Sequence, residues 1–292
     1  MKNLNALFVT LLCFSSATAF AQQEPAISQF WNTYLHTNPA TAGLFYKHAA
    51  NVHYRNQWVG VNGAPVTLSM NYAVRLDKIR SGAGLTYRYD EIGFNKENKI
   101  LANYTYHLKL GETVLSAGIA GGVDFLTVNY PEFVAPATQE DPLIPSGNTK
   151  YNPQFTSNAG IAFQSDFLNA GISCTQLNEP AFRKGNITYN AARHYWLFLE
   201  YNHDFSDNFA IQPRIQIATD EVKATYSASL MAVLYKKLWF GMNYSVDNYI
   251  GGMIGYDFFG KYRVGYGYDY TTNKLSNVSQ GTHEIVLSYL IK

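Results

Sequence analysis

The chain has 292 residues and a formal net charge of +1, with 47% hydrophobic and only 15% charged residues. This composition excludes disorder and gives no basic excess for electrostatic nucleic-acid binding. Two cysteines are too few for a disulfide scaffold, and no uninterrupted apolar run of about 20 residues provides a transmembrane helix. With 23 Tyr, 18 Phe and 4 Trp, what remains is an aromatic-rich β-protein, secreted or membrane-embedded.

Residues 1–21 read as an export signal. Lys2 supplies the positive start, residues 7–14 form an apolar stretch too short to span a bilayer, and Ala19-Phe20-Ala21 is a cleavage site, so the mature chain starts at Gln22. Cys13 leaves with the signal; the residues before it are not the small ones that cleavage ahead of a lipidated Cys prefers. Cys174, in an alternating apolar stretch, reads as buried or lipid-facing filler. Residues 22–46 are too apolar for a solvated tail. A short helix over 28–35 ends near Asn38-Pro39. The segment is expected to plug the lumen, or lie on the periplasmic rim, of a barrel formed by residues 47–292.

From residue 47 to 292 the pattern has period 2. Val66, Leu68, Met70, Tyr72, Val74 and Leu76 share one face, and Thr67, Ser69, Asn71, Ala73, Arg75 and Asp77 the other. Such runs predict 14 strands: 47–58, 65–77, 82–91, 98–109, 113–127, 153–165, 168–176, 192–204, 208–219, 224–235, 238–247, 250–258, 261–270 and 281–291. Strands of about 9–13 residues match a tilted bilayer crossing, whereas strands of a soluble sandwich cluster at about 5–6. The fold class is therefore all-β: a 14-stranded antiparallel transmembrane barrel with an N-terminal plug segment.

The connections sort by parity. The long ones span about 25 residues over 128–152, about 15 over 177–191 and about 10 each around 90–98 and 271–280. The others are short turns. Outer-membrane barrels have short periplasmic turns and longer extracellular loops, so both termini are expected in the periplasm. The loop 131–153 holds five of the ten prolines and is expected to cap the mouth. Trp58, Tyr87, Tyr89, Tyr195, Tyr235, Trp239, Tyr256 and Tyr289, near strand ends, suit an interfacial girdle.

Motifs for chemistry are few. There is no H-E-x-x-H, CxxC, P-loop or GxSxG pattern. His283 and Glu284 are adjacent on a strand and face opposite sides. Ser69, Asn71 and His107 are candidates for a wall-mounted hydrolase site, but polar residues are expected in any lumen. The expectation is no enzyme, no cofactor and no metal. The inward polar set (Arg55, Arg75, Arg88, His107, Asp124, Glu200, Arg214, Arg263, Asp269 and Glu284) mixes both signs. It reads as salt-bridged filling or as a channel lining without strong selectivity.

Four motifs carry a family resemblance: Ser28-Gln29-Phe30, Asn38-Pro39-Ala40-Thr41-Ala42-Gly43, Arg55-Asn56-Gln57-Trp58 and Gly63-Ala64-Pro65-Val66-Thr67. In this order and spacing, with a similar ending at His283-Glu284-Ile285, the chain resembles the PorP/SprF family. The final residue departs from many outer-membrane barrels, which end in an aromatic. The resemblance implies an outer-membrane component of the type IX secretion system of the Bacteroidetes. It further implies help in secreting a large surface adhesin, including gliding adhesins, or in holding its C-terminal domain at the surface.

Asn38, Pro39, Gly43, Arg55, Gln57, Trp58 and Pro65 have two readings. Either they hold the plug and the first hairpin, which is preferred, or they form a partner site at the mouth. Tyr130, Phe133, Phe182, Tyr189 and Tyr270, on or beside long loops, are candidate partner anchors. The expected partners are an adhesin C-terminal domain, other secretion components and outer-membrane lipid. The alternative function is a passive pore or a channel for hydrophobic substrates.

Overall fold

A computed structural model describes residues 24–129, 148–185 and 187–292. The expected signal, and the anchors Tyr130 and Phe133, lie outside the described residues. The wall is built from β1 (His48–Asn56), β2 (Val66–Leu76), β3 (Ser81–Ile92), β4 (Asn95–Leu110), β5 (Thr113–Asn129), β7 (Gln154–Gln164) and β8 (Leu168–Thr175). It continues through β11 (His194–Tyr201), β13 (Phe209–Thr219), β14 (Ala224–Leu234), β15 (Leu238–Ser245), β16 (Tyr249–Phe258), β17 (Tyr262–Thr271) and β18 (Thr282–Ile291). These 14 antiparallel strands form a closed barrel, with β1 against β18 and β11 against β13. Every edge is thereby paired, which the hydrocarbon core requires because it offers no water to unpaired backbone groups. Two short strands extend the wall: β6 (Asn148–Lys150) on β5 and β12 (His203–Ser206) on β13.

Alternation sets the two faces. On β1 and β2, Val52, Tyr54, Met70 and Tyr72 are exposed, while His53, Arg55, Ser69 and Asn71 are buried. Apolar side chains face outward around the wall, among them Ile119, Ile172, Leu230 and Ile254, the inverse of a soluble core and the arrangement a lipid solvent demands.

Three expectations need correction. The connection at 90–98 is a tight turn at Gly93-Phe94, because ion pairs cross β3 and β4 there (Glu91 with Lys96 at 2.9 Å, Arg88 with Glu97 at 3.2 Å) and carry the ladder upward. The loop 177–191 contains its own hairpin, β9 (Ala181–Lys184) and β10 (Ile187–Asn190). Trp239 is 1% exposed and faces the lumen, not the interface. Its parity on β15 points inward, and Gly255 and Gly265 leave the space its indole fills.

Candidate functional site

The segment before β1 lies inside the barrel. Its first part is held at β18 and its middle at β7 and β8, with β1 to β5 intervening around the ring. It therefore crosses the lumen. The first anchorage is a buried ionic cluster. Glu284 accepts hydrogen bonds from the backbone N–H of Ser28 (3.0 Å) and Gln29 (2.7 Å) and from the Ser28 hydroxyl (2.8 Å). Arg55 donates to Glu284 (2.6 Å), Asp269 (2.7 Å) and Ser28 Oγ (3.1 Å), and His53 Nε2 lies 3.1 Å from Glu284. Arg55, Asp269 and Glu284 are each 1% exposed or less. Buried charges survive only when paired and hydrogen-bonded, and here the N-terminal segment supplies part of that pairing.

The second anchorage is Asn38. Its amide donates to the carbonyls of Ile161 (3.0 Å) and Ile172 (3.2 Å), and its Oδ1 accepts from Ala40 N (2.9 Å). Pro39 then starts a helical turn, Pro39–Thr41, whose carbonyl at Pro39 accepts from Thr105 Oγ1 at 2.6 Å. The wall is bare at this point. A Cβ on Gly118 would stand 2.5–2.6 Å from the backbone of Pro39 and Ala40, so only glycine admits the close approach. Gly43 turns with φ +70 against the backbone of Arg75. The chain then leaves at the short-turn end, where Lys47 N bonds Ile291 O.

A third cluster lies toward the long-loop end. Glu24 pairs with Arg88 and with Lys99 (3.6 Å), and Lys99 also meets Glu97 (2.8 Å) and Asp124 (3.2 Å). Burial opposes ionisation of Glu24, but Arg88 and Lys99 outweigh it and hold the carboxyl well below its usual range. Burial, reinforced by the Arg88 charge, pushes the His36 imidazole down to about 3, so it is neutral near pH 7. Residue 24 thus sits in the long-loop half of the barrel, and Ile291 at the opposite end.

Between these anchorages the segment's aromatic residues meet the wall. Tyr34 stacks on Phe198 with centroids 4.1 Å apart, and the Arg214 guanidinium lies 4.5 Å over the Trp31 ring. Cavities open at both ends of the barrel. One of about 370 Å³ opens at the long-loop end and is lined by Gln57, Trp58, Pro65 and Trp196. The other, about 380 Å³, opens at the short-turn end and is lined by Asn51, Asn71, Glu200 and Arg214.

The structure thus brings Asn38, Pro39, Gly43 and Arg55 into the contacts of the lumen segment. Gln57, Trp58 and Pro65 gather at the mouth cavity. Of the loop residues, Phe182 is 2% exposed, buried with Leu126 and Val128. Tyr189 packs beside it and meets Tyr151 edge-on, while Tyr270 is exposed on the outer face. Ser69, Asn71 and His107 do not contact one another: Asn71 bonds Asn51 (2.8 Å) and His107 bonds Ser116 (2.7 Å). Arg75 lies at the short-turn rim and pairs with Asp77. Among the described residues no group of His, Cys, Asp and Glu is arranged to hold a metal ion. The seat for Asn38 was missed from sequence, because it is made of backbone carbonyls; the inward-parity glycines Gly118 and Gly160 were its only signal.

The fold has solved counterparts. A Pseudomonas aeruginosa FadL homologue matches with a TM-score of 0.51 at 11% identity, over 94% of this chain and 97% of that one. The Pseudomonas putida toluene transporter TodX matches with a TM-score of 0.50 at 11% identity, over 89% and 94%. At such identities the likeness concerns the barrel alone. No curated protein matches by sequence. The family model for the type IX secretion system membrane protein PorP/SprF matches residues 19–289, nearly the whole chain, and with the motifs and the barrel now in place the chain belongs to that family.

Proposed function

We propose that this outer-membrane barrel is a non-catalytic accessory of type IX secretion that helps deliver, or anchors, the C-terminal domain of a large surface adhesin. In this reading residues 24–46 are a plug. The long connections face the cell exterior, where the partner sits, and the short turns face the periplasm. Other secretion components are further candidate partners. The observation that carries the reading is the lumen itself: a segment tied to β18 at one end and to β7 and β8 at the other lies across it. A lumen occupied in this way is compatible with holding a protein at the mouth.

The test is a gentle-detergent pull-down of the tagged barrel from its native membrane, with and without crosslinking, and mass spectrometry of the bound material. The expected result is a very large exported protein bound through its C-terminal domain. Recovery of the barrel alone under both conditions would sink the proposal.

A second reading is a channel for hydrophobic substrates. It draws on the fold shared with the FadL homologue and the toluene transporter. It predicts ligand uptake into liposomes by the isolated protein.

A further inference from the structure

We infer that the cavity at the long-loop mouth is a binding pocket for an extended peptide segment carrying a basic side chain. The proposal rests on the reading of that end as the partner side, and it names the chemistry the partner presents there. Three observations lead to it.

The first is an unused polar group. Gln57 is 7% exposed, its inward parity on the wall directs it to the cavity, and its side-chain amide has no hydrogen-bond partner among the described residues. Its backbone N–H is already taken by the carbonyl of Pro65. The amide is open to the cavity and free to bond a ligand there. Because it both donates and accepts, it matches the N–H and C=O of a passing peptide unit.

The second is a pair of indoles. Trp58 adopts φ +50, a left-handed conformation that is an outlier for a bulky residue. Such strain concentrates at binding sites. The Trp58 backbone N–H donates to Thr282 Oγ1 (3.2 Å), and the residue lines the cavity. Trp196 lines the same cavity and is oriented by its Nε1–H donating to Thr175 Oγ1 at 3.1 Å. An indole thus lines each side of the opening, and either can receive an aliphatic stem ending in a cation.

The third is charge. Asp90, Asp220 and Asp247 line the cavity, opposed by Lys223. The one other carboxylate of the lining, Glu24, is already neutralised by Arg88 and Lys99. The lining is therefore net acidic. A cleft of one sign between low-dielectric walls concentrates the opposite charge. Its volume of about 370 Å³ lies within the roughly 300–1,000 Å³ of small-ligand pockets, enough for a short stretch of chain and not for a folded domain. Neutral sugars also use indoles and amides, but they gain nothing from the acidic lining.

The experiment uses the full-length barrel in detergent, with fluorescence anisotropy of three labelled probes: Gly-Arg-Gly-Arg-Gly, Gly-Glu-Gly-Glu-Gly and a neutral glucose oligosaccharide. The expected result is binding of the arginine peptide alone, weakened by salt. Gln57→Ala and Trp58→Ala should each lower its affinity by about tenfold, and Asp247→Asn by about threefold. Folding of each variant is checked by its heat-modifiable gel migration, and Asp247→Asn lies in an exposed turn that tolerates the change. Equal binding of both peptides, binding of the oligosaccharide alone, or binding of none overturns the proposal. A pull-down that recovers an adhesin while the arginine peptide fails retires the pocket and leaves the anchor reading standing. The converse result retires the anchor and keeps the pocket.

Discussion

The two sides of the lumen are built differently. On the side of β3, β4, β5, β7 and β8 the wall is thinned by inward glycines: the segment's backbone lies directly on Gly82 at Ala42 and on Gly118 at Ala40, and Gly160 makes room for the Asn38 amide. On the side of β11, β13, β14 and β15 long side chains reach inward, among them Arg214, Met231 and Trp239, and each cavity reaches from that side across to β1 and β2. Close contact without side chains fixes the segment's position. On the other side contact runs through side chains, with the Arg214 guanidinium over the Trp31 ring. The segment is thus held through its backbone on one side and through side chains on the other.

The sharpest way to break this comparison lies in the ionic cluster that ties the segment to β18. Arg55→Ala leaves Glu284 and Asp269 buried without their cation, and it should cost about 3–5 kcal/mol, read as a lower unfolding temperature in detergent. Next comes the thin wall. Gly118→Val drives a side chain into the backbone of Pro39 and Ala40; such overpacking costs about 1–3 kcal/mol and should unseat the segment, exposing it to protease. Asn38→Ala removes two donated hydrogen bonds and strands the two wall carbonyls, an expected loss of about 1–2 kcal/mol by the same thermal assay.

The smallest effect is a pH dependence. The folded-state pKa of His36, about 3, lies below its unfolded value near 6.5. The neutral ring is therefore favoured in the docked segment. That contribution is complete above pH 6.5 and falls as pH drops. The slope follows the protonation of the unfolded chain and steepens as the pH falls through 6.5. Stability measured between pH 7 and pH 5 should decline in the parent and stay flatter in His36→Gln.

The strands were legible because a lipid-facing wall repeats its polar and apolar faces at period 2, and each of the 14 crossings lies where the alternation places it. The upper reach of β3 and β4 was not, because Asp90, Glu91, Lys96 and Glu97 look like a loop until their cross-strand partners are known. Trp239 was misread because a tryptophan near a strand end suggests an interface, and only parity separates the two faces. The contacts of the lumen segment join residues more than a hundred positions apart, such as Asn38 and Ile161, and backbone carbonyls leave no mark in a sequence. The motif at 55–58 was visible as a motif. That Arg55 serves the segment while Gln57 and Trp58 serve the mouth required the register.

The most direct test of the sealed lumen is planar-bilayer recording of the purified full-length protein beside Gly118→Val. A sealed lumen predicts no steady conductance from the parent and an open, conducting barrel once the segment is unseated. A parent protein that conducts steadily would contradict it and turn the reading toward a pore.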